Sequence, residues 1–131
     1  MNLLAVDPSE VSKVWPHVRD LIYKAMKRGG LSSYSSVELE VLEGLAQLWI
    51  AYDEEIYAAA VTQLHETEWG RSCVITALGG REMDKWLPFI SEIEKYAKGA
   101  GCEKIRIFGR LGWERKLPTY KTTRIILEKD L

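Results

Sequence analysis

The sequence predicts one α/β domain in which helices cover both faces of a mixed β-sheet. Its 131 residues suit a single compact domain, so we expect residues 1–131 to form one unit. Hydrophobic residues make up 47% and charged residues 28%, as in an average soluble protein. Segments with the two-residue period of strands alternate with segments of helical period, which predicts an α/β arrangement.

Several classes of protein are excluded at this stage. No apolar run approaches the roughly 18 residues that a membrane span needs, and Asp7 and Pro8 follow too soon for a secretion signal. The two cysteines, Cys73 and Cys102, are too few for a disulfide framework or a four-ligand zinc site. The two histidines have no cysteine or histidine at metal-binding spacing, so we expect no metal. We therefore expect a cytoplasmic protein with reduced thiols.

The first elements are a strand over residues 3–6 and a long helix. Asp7 is the predicted N-cap, and Glu10 completes a capping box with Pro8 at the first helical position. Apolar residues then recur with helical spacing up to the pair Gly29-Gly30, which should end the helix. Pro16 lies inside this pattern and should kink the helix or split it.

A second helix should begin at Ser35. Glu38 completes its capping box, Leu39 and Leu42 are its predicted buried residues, and Gly44 ends it. Strands are predicted over residues 47–52 and 56–65.

Residues 66–72 are predicted as a polar turn, and the apolar segment 73–78 is a strand buried on both faces that ends at Gly79-Gly80. A helix over 83–98 then leads to a strand over 102–108. A helix between two strands implies a right-handed crossover that makes the strands parallel neighbours. A short helix over 113–117 and a closing strand over 121–128 complete the order.

The segment from Ala97 to Ile107 (AKGAGCEKIRI) resembles the end of the third helix and the fifth strand of the GNAT acetyltransferase superfamily. The segment from Gly109 to Arg115 resembles short GNAT-like proteins of phages and prophages. The resemblance implies the GNAT-like (acyl-CoA N-acyltransferase) fold over most of the chain. It also implies phage or virion proteins as partners, with virion association as the alternative to a cytoplasmic location.

The resemblance implies acetyl-CoA as cofactor, held by a loop of the form (Arg/Gln)-x-x-Gly-x-(Gly/Ala). Arg81 matches its first position, but Asp84 and Trp86 stand at the two small positions. A carboxylate repels phosphate and an indole fills the space, which predicts weak or absent acetyl-CoA binding. As ordinary helix residues, Asp84 is an N-cap or first-turn acid, and Trp86 is a core residue or fills the groove. Gly79-Gly80 offers an alternative nest of amides. The implied cofactor-binding residues are Ile75, Thr76, Ala77, Leu78 and Arg81.

Catalytic groups for acetyl transfer are few. Such chemistry needs a base for the amine proton and an acid for the leaving thiolate. His65, Glu66 and Glu68 are candidate bases, although side chains at a hairpin end are usually solvated. Tyr120 is the candidate acid, about two residues later than the family's tyrosine.

Charge divides unevenly along the chain. Residues 98–131 hold nine Lys and Arg against four acids, while the whole chain has a net charge of −1. This basic segment could bind nucleic acid, a CoA phosphate or an acidic protein, and its aromatic and basic residues are Arg106, Phe108, Arg110, Trp113, Arg115 and Lys116. The near-neutral total argues against specific nucleic-acid binding, so we expect a solvated surface.

Two functions stay open. In the first, the chain is a divergent, non-catalytic binding or structural module with weak or absent acetyl-CoA binding. In the second, it is an acetyl-CoA-dependent N-acetyltransferase acting on an amine.

Overall fold

A five-stranded sheet in the order β1-β2-β3-β4-β5 forms the centre of the computed structural model, which describes residues 1–29, 33–109 and 112–131. Neighbouring strands are antiparallel up to β4, and β4 and β5 are parallel. The predicted mixed sheet, with segments 73–78 and 102–108 as parallel neighbours, is thus confirmed. The strands are β1 Asn2–Ala5, β2 Gln47–Tyr52, β3 Ile56–Thr67, β4 Gly70–Gly80 and β5 Lys104–Ile107.

Helices cover both faces of this sheet. One core cluster joins the first two helices to β2, β3 and β4, and a second joins the fourth helix to the opposite face of the sheet. Among the described residues, none of the helices combines the length and apolar character that a bilayer crossing requires. The helices are α1 Val11–Gly29, α2 Tyr34–Leu42, α3 Met83–Trp86, α4 Ile90–Gly99 and α5 Gly112–Lys116.

The start of α1 follows the prediction only in part. The Asp7 carboxylate accepts a hydrogen bond from the Ser9 N–H at 2.9 Å, as an N-cap should, and opens a 3₁₀ turn over Pro8–Glu10. Glu10 forms an ion pair with Lys13 at 3.4 Å. The predicted split at Pro16 is wrong, because α1 continues through it: a proline removes one helical hydrogen bond, which the buried stripe of α1 offsets. Gly30 lies outside the described residues.

The predicted start and buried face of α2 are wrong. The helix begins at Tyr34, so Ser35 is a helical residue and does not cap it. Leu39 and Leu42 are exposed, and Val37 and Val41 are buried instead. Both pairs have helical spacing, so the sequence pattern alone could not select the face that meets α1. Gly44 ends the helix as predicted, with a φ of +77° that favours glycine.

The β3–β4 hairpin is longer than predicted. Most of the polar segment 66–72 belongs to the two strands, and only Glu68 and Trp69 lie between them. β4 also extends two residues further than predicted, because Gly79 and Gly80 pair with β3 and are its last residues. Strands that face solvent tolerate polar residues. The polarity of segment 66–72 therefore led to the wrong prediction of a turn where the two strands continue.

The region predicted as one helix over 83–98 is divided. A 3₁₀ turn over Leu87–Phe89 separates α3 from α4, because Pro88 cannot donate a backbone hydrogen bond within a continuous helix. The predicted closing strand over 121–128 is also wrong: residues 118–131 have no helix or strand. The β-branched residues of segment 121–128 favour a strand only where they can pair with a neighbouring strand of a sheet.

Candidate functional site

A cleft opens where β4 and β5 diverge. Their pairing ends at Ile75 and Ile107, and beyond that point residues 77–80 of β4 pair, among the described residues, with β3 alone. The divergence coincides with a β-bulge at Thr76, whose hydroxyl donates a hydrogen bond to the Val61 carbonyl at 3.3 Å. A bulge bends its strand and increases its twist, so this residue turns the end of β4 away from β5.

The cleft has a volume of about 400 Å³, within the range of small-molecule sites. One wall is the carboxyl-terminal half of α1 from Leu21 to Arg28, and the other is the end of β4 from Thr76 to Gly80 together with Arg81, which follows it. Residues 107–109 and Trp113 close it on the β5 side. Ligands of α/β proteins commonly bind at the carboxyl ends of parallel strands, which is where this cleft lies.

The mouth of the cleft is cationic. Lys24, Arg28 and Arg81 line it, and none of its described lining residues is acidic. Lys24 and Arg28 lie one helical turn apart on α1, so their charges face the same side. Neither residue was predicted as part of a site, although their four-residue spacing is visible in the sequence, because only the folded chain brings α1 beside the end of β4.

Arg81 is held at the edge of the cleft by residues of the β2–β3 hairpin. Its guanidinium forms an ion pair with Glu55 and lies over the Tyr57 ring, with Cζ 4.4 Å from the ring centroid. The hydrogen bond from the guanidinium to the Glu55 carboxylate raises the pKa of Arg81. The side chain is about half exposed and shares its charge with Glu55, so it offers an incoming anion only part of that charge.

Asp84 and Trp86, the two residues that depart from the small positions of the cofactor loop, have different surroundings. Asp84 is exposed and is not among the described residues that line the cleft. Trp86 is only 3% exposed and packs against Ala51 and Ala58. Its indole N–H donates a hydrogen bond to the Arg81 carbonyl at 2.9 Å, which ties the loop to the core. The indole is therefore a core side chain that also forms part of the cleft wall.

Gly79 and Gly80 serve packing. A Cβ atom on Gly79 would lie 2.9 Å from the Leu21 carbonyl oxygen of α1, and one on Gly80 would lie 2.6 Å from the Ala58 Cβ of β3. Glycine thus allows α1 and β3 to approach the end of β4 closely. Both residues belong to a strand, so the predicted alternative nest of loop amides is not formed by them.

None of the predicted catalytic residues is among the described residues that line the cleft. The half-buried Tyr120 hydroxyl donates a hydrogen bond to Glu94 of α4 at 2.6 Å, and Tyr120 is not among the described lining residues. Burial raises the pKa of Tyr120, and the hydrogen bond to the Glu94 carboxylate raises it further. His65, Glu66 and Glu68 lie at the exposed far end of the β3–β4 hairpin, where β4 begins, whereas the cleft lies where β4 ends.

Of the basic and aromatic segment, Phe108 and Trp113 line the cleft, and Arg110 lies outside the described residues. Cys73 is buried in β4, and this burial raises the pKa of its thiol to about 11, with Cys102 as a smaller contribution. A thiol with so high a pKa is a poor nucleophile at neutral pH.

A hydrogen-bonded cluster of Trp15, Tyr34 and Glu38 between α1 and α2 was also not predicted from the sequence. Glu38 accepts hydrogen bonds from the Trp15 indole at 2.6 Å and from the Tyr34 hydroxyl at 2.9 Å. Both hydrogen bonds lower the pKa of Glu38, and the one from Trp15 has the larger effect. The i, i+4 spacing of Tyr34 and Glu38 was the available signal, and the cluster joins the two helices.

Comparison with known proteins identifies the fold. No protein-family model and no curated protein matches the chain. A Bacillus halodurans protein solved as a tetramutant matches with a TM-score of 0.70 at 15% identity over 100% of both chains. A GNAT family acetyltransferase from Staphylococcus aureus matches with a TM-score of 0.66 at 13% identity, over 99% of this chain and 98% of that one.

An acetyl-CoA complex is among the similar structures. It is a predicted acetyltransferase from Clostridium acetobutylicum, with a TM-score of 0.66 at 19% identity, over 98% of this chain and 95% of that one. The predicted GNAT fold is thus confirmed, whereas the resemblance to phage proteins stays a prediction.

Proposed function

We propose that this chain, which has the GNAT acetyltransferase fold, is a binding module for an acyl-CoA such as acetyl-CoA. The observation that carries the proposal is the cleft beyond the Thr76 bulge, where an open strand edge meets a cationic mouth. Each half of this site suits one part of the ligand.

The open edge of β4 suits the extended arm of the ligand. Residues 76–80 have no second partner strand among the described residues, so backbone N–H and C=O groups along this edge are free to bind. The pantetheine arm of CoA contains amide groups and can bind a strand edge as an extended peptide does. Of the residues predicted from the resemblance, Thr76, Ala77 and Leu78 belong to this edge and would hold the arm, whereas Ile75 is buried and paired with Ile107 of β5.

The cations suit the phosphates. Lys24, Arg28 and Arg81 line the mouth, whereas Asp84 is exposed and is not among the described lining residues, so water screens its repulsion of a phosphate more than the sequence predicts. Arg81 is shared with Glu55, and the Trp86 indole occupies part of the wall. We therefore expect a dissociation constant above about 1 μM, which corresponds to a binding free energy of less than about 8 kcal/mol in magnitude.

The residues that line the cleft favour binding of an acyl-CoA over transfer of its acyl group. A bound acyl-CoA would supply an activated thioester, and transfer to an amine needs a group that takes the amine proton. The described lining residues include no carboxylate, histidine, cysteine or tyrosine. Tyr120 is engaged with Glu94 outside the cleft. The N-acetyltransferase is the second candidate, favoured by the similar structure solved with acetyl-CoA.

Isothermal titration with acetyl-CoA tests the proposal. The variant Lys24→Glu/Arg28→Glu reverses two charges at the mouth, and Lys95→Glu/Lys98→Glu makes the same change on exposed residues of α4. We expect saturable binding that weakens at least about tenfold in the first variant and less than about threefold in the second. Absence of binding, or equal weakening in both variants, would refute the proposal. Release of free CoA with a panel of primary amines would favour the transferase instead.

A further inference from the structure

The outer face of α2 carries a group of exposed leucines. Leu39 is 56%, Leu42 is 45% and Leu45 is 69% exposed. Leu39 and Leu42 are separated by almost one helical turn and lie opposite Val37 and Val41, which are buried in the core. We call the three leucines the α2 leucine patch. Single exposed leucines are common on protein surfaces, whereas a group of them on one side of an element is typical of a surface that binds another protein.

The patch has a fixed shape. The Leu45 N–H donates a hydrogen bond to the Glu40 carbonyl at 2.8 Å, so the chain after α2 turns back onto the end of the helix. The Glu40 carboxylate accepts a hydrogen bond from the Gln63 amide of β3, and Glu38 of the same helix accepts one from Trp15 of α1. Because α2 is bonded to both neighbours, a partner that binds its outer face has little further structure to order.

The residues around the patch are acidic. Between Arg28 and Arg71 the sequence contains eight acids and no Lys or Arg, whereas the rest of the chain holds 18 Lys and Arg against 11 acids. The eight acids are Glu38, Glu40, Glu43, Asp53, Glu54, Glu55, Glu66 and Glu68. Of these, Glu40 and Glu43 lie at the end of α2 beside the leucines, and neither forms an ion pair with a described residue. Their charges are therefore not neutralised within the described part of the chain.

We propose that the α2 leucine patch binds a basic amphipathic helix of another protein. Such a helix buries its apolar stripe against the three leucines and places Lys or Arg beside Glu40 and Glu43. Burial of the apolar residues supplies most of the affinity, and the opposite charges fix the orientation of the helix and speed its association. The leucines and the two acids are not among the described residues that line the cleft, so this surface is distinct from the proposed acyl-CoA site.

The charges also decide which partner fits. Two copies of this chain that met patch to patch about a two-fold axis would bring Glu40 and Glu43 of one copy near those of the other, and like charges across an interface repel. A nucleic acid or an anionic membrane surface would be repelled by the same carboxylates. A helix that carries Lys and Arg beside its apolar residues complements both the leucines and the acids. The occupant is therefore a cationic segment of a different protein.

Fluorescence anisotropy with a labelled helical peptide tests the surface. The probe is a peptide of about 18 residues, five helical turns, with leucines on one face and lysines on the other. At physiological salt we expect the native chain to bind it with a dissociation constant below about 50 μM. Leu39→Gln/Leu42→Gln should weaken binding at least about tenfold. The control Leu4→Gln/Leu64→Gln replaces two leucines that are each 43% exposed, and should weaken it less than about threefold. No binding at that concentration, or equal weakening by both variants, would overturn the proposal.

Further variants test the charge and the partner. Glu43→Lys should weaken binding of the lysine peptide at least about fivefold, whereas Glu68→Lys, the same change at the exposed end of the β3–β4 hairpin, should weaken it less than about twofold. A peptide with glutamates in place of the lysines should bind at least about tenfold more weakly, and equal binding of the two peptides would overturn the assignment of a basic partner. In sedimentation velocity, a native chain that is dimeric while Leu39→Gln/Leu42→Gln is monomeric would identify a second copy as the occupant and overturn the proposal.

Discussion

Replacing Trp86 with alanine should destabilise the fold before it affects any ligand. The side chain is 3% exposed, packs against Ala51 and Ala58, and donates a hydrogen bond to the Arg81 carbonyl. Truncating a buried aromatic side chain to alanine costs about 3–5 kcal/mol. For a chain of this length each kcal/mol lowers the melting temperature by about 3–5 °C, so the expected decrease is about 10–20 °C.

Thermal unfolding followed by circular dichroism measures this effect. Trp86→Phe keeps most of the packing but leaves the Arg81 carbonyl without its donor, so it should cost about 1–3 kcal/mol. Trp69→Ala is the matched control, because Trp69 is 84% exposed at the hairpin end and its loss should change stability by less than about 0.5 kcal/mol. A melting temperature of Trp86→Ala within about 2 °C of the native chain would refute the assignment of Trp86 to the core.

Three further predictions concern the thiols, pH and packing. Burial raises the pKa of Cys73, so at pH 8 a thiol reagent should modify Cys102 first and Cys73 only on unfolding; equal rates would contradict this. The hydrogen bond from Trp15 lowers the pKa of Glu38, so its contribution to stability is full above its ordinary pKa of 4.5 and is lost as pH falls below it. In denaturant unfolding, the free energy of unfolding of Glu38→Gln should therefore fall less steeply below pH 5 than that of the native chain. An equally steep fall would show that Glu38 does not contribute to this pH dependence. Gly79→Val should lower the melting temperature by at least about 5 °C, since its Cβ would meet the α1 backbone at 2.9 Å; an unchanged value would contradict the close packing.

The sheet was predictable because its strands carry their own local signals. Segment 73–78 is largely β-branched and apolar, and its burial matches the prediction of a strand inside a covered sheet, while segment 47–52 is largely apolar and forms the predicted strand β2. The crossover that makes β4 and β5 parallel follows from the intervening helical segment. Local patterns could not choose the buried face of α2, where Val37 and Val41 displaced Leu39 and Leu42.

The site was less accessible to sequence reasoning, because its parts meet only in three dimensions. Arg81 was found from a motif, and the structure places it at the edge of the cleft. Lys24 and Arg28 belong to α1, more than forty residues before the strand that they face. The Thr76 bulge that opens the cleft is a mismatch in pairing between two strands, which neither strand reveals alone.

Amide-resolved NMR with acetyl-CoA tests the proposed binding in this cleft most directly. Titration should shift the amide signals of residues 76–80 and 107–109, which line the cleft on its two strands. The signals of the hairpin end around Trp69 should stay unchanged, because that end lies at the other end of β4. Shifts confined to the hairpin end or to the segment 123–131, or no shifts at millimolar ligand, would contradict a CoA site between β4 and β5.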